Sequence, residues 1–118
     1  MESKEIVKLA IEAMEEKKAE EIKLIDIADI SSIGDYFLIT NGSNINQVQT
    51  ITDAVEEKLG RAGVQLKSME GKKQRGWILL DYGDVIIHIF DRENRLFYDL
   101  ERIWKDGKEI PVSGLDDK

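Results

Sequence analysis

Between residues 3 and 18, Ile6, Val7, Ala10, Ala13 and Met14 recur three and four positions apart, with Glu and Lys filling most places between them. That spacing predicts an amphipathic helix. Residues 21–27 are short and rich in β-branched side chains and read as a strand. A turn cluster follows, and then Tyr36-Phe37-Leu38-Ile39-Thr40, an apolar run too short for a helix and suited to a buried strand that Asn41-Gly42-Ser43 ends. Ser43 stands where a helix N-cap is wanted. Ile45, Val48, Ile51, Val55, Leu59 and Ala62 mark one face of a second helix that Gly60 or Gly63 can stop.

Residues 64–69 alternate weakly as a third strand, and Glu70-Gly71-Lys72-Lys73-Gln74-Arg75-Gly76 reads as a glycine-bounded loop. Trp77-Ile78-Leu79-Leu80-Asp81 and Val85-Ile86-Ile87-His88-Ile89-Phe90, joined by Tyr82-Gly83-Asp84, predict a β-hairpin. Asp91 is a suitable N-cap for a short helix whose apolar face is Leu96, Phe97, Leu100, Ile103 and Trp104. The order α-β-β-α-β-β-β-α implies an α/β fold, a mixed sheet of about five strands with helices packed on it. One domain over residues 1–105 and a loose tail over 106–118, which holds the lone proline, Pro111, complete the expectation.

Pairing Leu80 with Val85 across the turn would divide the hairpin into two faces. Ile78, Leu80, Val85, Ile87 and Ile89 form a wholly aliphatic face suited to lie under the two long helices. Trp77, Leu79, Ile86, His88 and Phe90 form the other, with Trp77 opposite His88. A turn longer by two residues keeps this division and an odd bulge reverses it. Large aromatics mixed with an imidazole suit the centre of a protein interface. They equally suit a second core layer beneath the last helix.

Composition narrows the chemistry. The chain has 118 residues, 17 Lys+Arg against 24 Asp+Glu, a formal charge of -7, no cysteine and one histidine. Disulfides, thiolate zinc sites and multi-histidine metal sites are excluded, and His88 has no second histidine or cysteine with which to form a catalytic dyad. The acidic balance disfavours a general nucleic-acid coat and favours a basic protein partner. Lys72, Lys73 and Arg75 are the exception, a solvated loop or a contact to nucleic-acid phosphate. No run approaches the roughly 18 apolar residues of a membrane span, and Met1-Glu2-Ser3-Lys4-Glu5 carries no signal-like stretch, so a soluble, cytoplasmic protein without a membrane partner is expected.

Gly34-Asp35-Tyr36-Phe37-Leu38-Ile39, Glu70-Gly71, Gly76-Trp77-Ile78-Leu79-Leu80-Asp81, the run from Gly83 to Phe90, and Arg95-Leu96-Phe97-Tyr98-Asp99-Leu100-Glu101-Arg102-Ile103-Trp104 together resemble the ribosomal silencing factor, or iojap, family. The resemblance runs from about Ile6 to Trp104. It implies a fold similar to nucleotidyltransferases without their catalytic carboxylates. It further implies binding to the large ribosomal subunit through its ribosomal protein number fourteen, which blocks joining of the small subunit and lowers translation when nutrients are scarce. Partner contacts carried onto this chain fall on Trp77, His88, Phe90, Tyr98, Glu101 and Trp104.

Gly42-Ser43 at the second helix start imitates one element of a nucleotidyltransferase site. The strand read at residues 64–69 offers no carboxylate to hold the divalent metal that phosphoryl transfer needs. Asp81 and Asp84 flank a tight turn, where aspartate is ordinary on backbone grounds. No enzyme activity and no cofactor are expected. The rival readings are a homodimer closed through the aromatic patch and a nucleotide-binding module without catalysis.

Overall fold

The computed structural model describes residues 2–29, 34–72, 76–98 and 107–112. In chain order the elements are α1 (Ser3–Glu16), β1 (Glu20–Asp26), β2 (Tyr36–Gly42), α2 (Ile45–Arg61), β3 (Ser68–Lys72), β4 (Trp77–Asp81), β5 (Val85–Asp91), α3 (Arg92–Tyr98) and β6 (Lys108–Ile110). Two strongly apolar segments of the sequence, Tyr36 to Thr40 and Val85 to Phe90, lie in the two central strands. β2 and β5 pair in parallel, Tyr36 beside Val85 and Gly42 beside Asp91. Strands paired on both edges and covered on both faces need near-continuous apolar sequence, and these two have it, with Thr40, Asn41 and His88 as the buried polar exceptions. The sheet order is β3-β4-β5-β2-β1-β6, and every neighbouring pair other than β2 and β5 is antiparallel.

The larger core joins the sheet to α1 and α2. Val7, Ala10 and Met14 of α1 and Val48, Ile51, Val55 and Leu59 of α2 are buried against Leu24, Leu38, Ile78, Leu80, Val85, Ile87 and Ile89. The aliphatic hairpin face therefore lies under the helices, as its composition requires. Lys58 spans the helix pair to Glu16 and Glu12 at 2.9 and 3.4 Å, but both carboxylates are exposed and the pairs contribute little beside the apolar contact.

Both long helices end in the same hydrogen-bonded way. Val64 N–H donates to Leu59 O and Gly63 N–H to Gly60 O, with Gly63 at φ 85°. Ala19 N–H donates to Met14 O and Lys18 N–H to Glu15 O, with Lys18 at φ 59°. This is the Schellman arrangement, which satisfies the last carbonyls of a helix and prefers glycine at the left-handed position. A lysine in that position gives no sequence signal, and this is why α1 stops at Glu16, ahead of the expected Lys18.

Several boundaries differ from the sequence reading. Asn44, not Ser43, caps α2, its Oδ1 accepting from Gln47 N–H at 2.9 Å, and Ile45 and Ala62 at the helix ends are exposed. Asn41 and Gly42 extend β2 because the parallel partner β5 continues beside them to Asp91. The third strand is displaced from residues 64–69 to Ser68–Lys72, so Glu70 and Gly71 are strand residues. Val64 and Leu66 pack on the core from irregular chain. Residues 108–110, expected in a loose tail, add a sixth strand beside β1.

The hairpin turn is two residues tighter than expected: Leu80 pairs with Ile87, and Tyr82 N–H donates to Val85 O. Gly83-Asp84 alone turn the chain, and Gly83 at φ 93° supplies the positive φ that a two-residue hairpin with glycine first demands. The change is even, so both faces keep their residues. Tyr82 moves from turn to buried strand end.

Ile87 has no measurable exposure and lies at the centre of the larger core. Ile87→Ala is expected to cost about 2 to 5 kcal/mol through lost burial and the cavity left behind, read as a shift in the urea midpoint with unchanged slope.

Candidate functional site

The second face of the sheet gathers Ile25 and Ile27 of β1 and its end, Phe37 and Ile39 of β2, and Ile86 and Phe90 of β5, with Trp77 and Leu79 of β4 packed at its margin. His88 lies among them. Alternation along each strand puts these residues on one side, and the pairings Phe37 with Ile86 and Ile39 with His88 carry the face across the parallel seam.

Trp77 stands opposite Phe90, and Leu79 opposite His88, in place of the direct Trp77–His88 pair that the looser turn implied. Trp77 and His88 are diagonal neighbours, still within reach for a long aromatic side chain. Trp77 Nε1–H donates to His88 Nδ1 at 3.2 Å. The indole therefore meets an unprotonated ring nitrogen, and the imidazole proton resides on Nε2. Phe37 meets the imidazole edge to face at 4.7 Å between ring centres, and Phe90 stacks on it at 5.8 Å, nearly parallel.

Desolvation in this aromatic setting lowers the His88 pKa to about 4. His88 is thus a neutral hydrogen-bond acceptor that holds Trp77, rather than a charged contact. On its other side Trp77 closes on β3. A side chain at Gly71 would meet Trp77 O and Cε3, and Gly71 has φ 90°. Gly71 supplies the space in which the indole lies.

A second glycine anchors the start of β4. Gly76 is buried at φ 69°, accepts from Asp91 N–H at 2.9 Å, and lies where any side chain would strike the Asp91 carboxylate and the Asn94 amide. Asp91 Oδ1 accepts from Asn94 N–H at 2.8 Å and so caps α3, in agreement with the sequence reading. The entry to the Trp77 strand and the start of α3 are built as one unit.

The expected contact residues divide. Trp77 and Leu79 are half-buried, whereas His88 at 8% and Phe90 at 1% exposure form the floor beneath them. Tyr98 is the last residue of α3, with a side chain outside the described residues, as is that of Lys72 at the end of β3. Glu101, Trp104, Lys73 and Arg75 lie outside the described residues. Leu79 and Gly71 were assigned no contact role in the sequence, Leu79 because it resembles core and Gly71 because it resembles a loop boundary.

The displaced β3 does carry a carboxylate, Glu70, exposed and opposite Leu79. Among the described residues no three His, Asp or Glu side chains are grouped to hold a metal ion. Asp81 and Asp26 accept from the N–H two residues on, Gly83 at 2.8 Å and Ala28 at 3.1 Å, the ordinary turn role of aspartate. No described helix is long and apolar enough to cross a membrane.

The fold and this face define a small mixed α/β domain that presents an indole, held by an imidazole, at the margin of its aromatic face. The chain belongs to the family described as ribosomal silencing factor during starvation, whose model matches residues 1–118. It is 40% identical over 116 residues to the ribosomal silencing factor RsfS of Bacillus subtilis, covering 98% of this chain and 96% of that one. It is 36% identical over 115 residues to that of Halalkalibacterium halodurans, covering 98% of each. A crystal structure of a Chromobacterium violaceum protein superposes with a TM-score of 0.86 at 35% identity, over 94% of this chain and 91% of that one. Membership gives the chain a ribosome-associated silencing role, and its relatives bear a regulatory rather than an enzymatic designation.

Two outcomes test the site. Gly76→Ala is expected to destabilise by about 2 kcal/mol or more, since it combines a left-handed backbone with a clash against Asp91, and circular dichroism melts measure it. The second concerns pH. An unfolded imidazole takes its proton near pH 6.5 and His88 only near pH 4, so its contribution is complete above pH 6.5 and is lost as pH falls through that window. Between about pH 7.5 and about pH 5 the wild type should lose about 2 kcal/mol more than His88→Gln, whose amide oxygen replaces the acceptor for Trp77. Urea titrations of both proteins at the two pH values give the difference.

Proposed function

We propose that this chain binds the large ribosomal subunit through that subunit's ribosomal protein number fourteen and, by occupying that surface, blocks joining of the small subunit, so that translation falls when nutrients are scarce. The observation that carries the reading is the family match along residues 1–118. A steric block needs no reacting group, only an interface of roughly 1,200 to 2,000 Å². The contact face is Trp77 with Leu79 beside it, and Tyr98, Glu101 and Trp104 from α3 and the chain beyond it. His88 and Phe90 act from beneath by fixing the indole.

A net charge of -7 favours encounter with a basic ribosomal protein and disfavours bare RNA. Lys72, Lys73 and Arg75, next to Trp77 in the chain, are the local exception and supply any marginal contact to ribosomal RNA phosphate. The protein acts without a cofactor, in the cytoplasm.

Sedimentation with purified subunits is the test. The protein should travel with isolated large subunits and not with small ones, and its addition before mixing should lower the yield of joined ribosomes. Trp77→Ala should weaken binding by more than about 1 kcal/mol, as aromatic anchors do, while the chain stays folded at neutral pH. Lys72→Glu with Lys73→Glu should act mainly on the salt dependence. A wild-type protein that stays at the top of the gradient and leaves joining unchanged rejects the proposal; one found there as a dimer makes self-association the function of the face.

A further inference from the structure

At the end of the sheet where β2 and β5 finish, five groups form a closed ring. Arg92 donates from Nε and Nη2 to the two Glu20 carboxylate oxygens at 2.8 and 2.5 Å. Asn41 Nδ2 donates to Glu20 Oε1 at 2.7 Å. Arg95 Nη1 donates to Asn41 Oδ1 at 2.9 Å and to the Glu21 carbonyl at 2.6 Å. Arg92 and Arg95 are three residues apart on α3, so the ring begins and ends on one helical turn.

The ring explains three features that otherwise stand alone. The β1–β2 register slips between Glu20 and Lys23, and Glu21 adopts φ 45°, a conformation that a glutamate rarely takes. The carbonyl of that same residue is the one that receives Arg95. Asn41, 2% exposed inside a central strand, uses both ends of its amide, accepting from one α3-linked group and donating to another, which neither an aspartate nor an aliphatic residue can do. The two halves differ in setting: Arg95 is 8% exposed, whereas the Arg92 side chain is largely open to solvent.

We infer that this ring is a clasp that fixes the direction in which α3 leaves the sheet, and that Arg95 is thereby a positioning residue for large-subunit binding. Tyr98 ends α3, so the clasp sets where this residue of the proposed contact face is delivered relative to Trp77. The binding half of this inference rests on the proposed function; the ordering of α3 does not.

Hydrogen exchange on the full chain, read at the Leu96, Phe97 and Tyr98 amides, and co-sedimentation with large subunits test the two halves together. Arg95→Met keeps the apolar stem and removes the guanidinium. It should speed exchange of those amides about tenfold or more while β4 and β5 amides stay within about threefold of wild type. It should also weaken large-subunit binding about tenfold or more. Arg95→Lys should recover part of both effects, because the ammonium keeps the charge and the donors but not the planar, pre-organised geometry of the guanidinium. Arg92→Ala, on the exposed side, should change either readout by less than about threefold. Trp77→Ala should weaken binding and leave α3 exchange unchanged.

Unchanged α3 exchange in Arg95→Met overturns the clasp, as does an equal rise in every element, which would make the ring a support of the whole fold. Loosened α3 with wild-type affinity overturns the positioning role. If the wild type itself does not bind large subunits, the ribosomal proposal fails, and the exchange data alone decide the clasp.

Discussion

Parallel pairing of β2 with β5 buries both faces of both strands, and the rest of the molecule supplies what two such strands need. Apolar cover comes from α1 and α2 on one side and from the smaller aromatic core on the other. The strands also bring three polar side chains inside, Thr40, Asn41 and His88. Each buried polar group left without a partner would cost about 1 to 3 kcal/mol. Thr40 donates to the Glu20 carbonyl at 2.7 Å, Asn41 is held by Glu20 and Arg95, and His88 receives Trp77. All three solutions draw in a neighbouring element: the bulged start of β1 for Thr40 and Asn41, joined by α3 for Asn41, and β4 for His88. The features proposed for function are in this sense the partners that a doubly buried pair of strands requires.

The sequence made the central features legible wherever a local period decides them. Val48, Ile51, Val55 and Leu59 share a helical stripe whatever the rest of the chain does, and the parity of Ile78, Leu80, Val85, Ile87 and Ile89 survives an error of two residues in the turn. Where pairing is remote the signal fails. β3 and β6 have few apolar residues and become strands only because β4 and β1 offer an open edge. Left-handed backbone at Lys18 and Glu21 is invisible because glycine is its usual marker.

For the site, the same limits apply. Trp77 and His88 were legible as neighbours because they share a face, and their contact is diagonal because the turn is tighter than it looks. That Phe90 lies beneath the surface was not legible, since composition alone does not distinguish an interface from a covered core. The Arg92–Glu20–Asn41–Arg95 ring draws on three separated stretches of chain, and no window of sequence contains it. Asn41 in particular imitates a turn residue until its amide is seen to be used from both ends.

The two strands that end the described sheet, β3 and β6, have a further consequence. An open strand is a template on which a second sheet can grow, and long, flat, apolar edges lead to fibres. β6 is three residues long, presents Lys108 and Glu109 to solvent, and is followed at once by Pro111, which has no N–H to offer. β3 carries the left-handed Gly71, exposed Glu70 and, in the residue before the strand, Lys67. Charge and brevity thus guard both strands against edge-to-edge growth. Met69, 46% exposed on β3, is the single large apolar side chain on those guarded strands to stand so far into solvent, and a charged residue there would complete the guard.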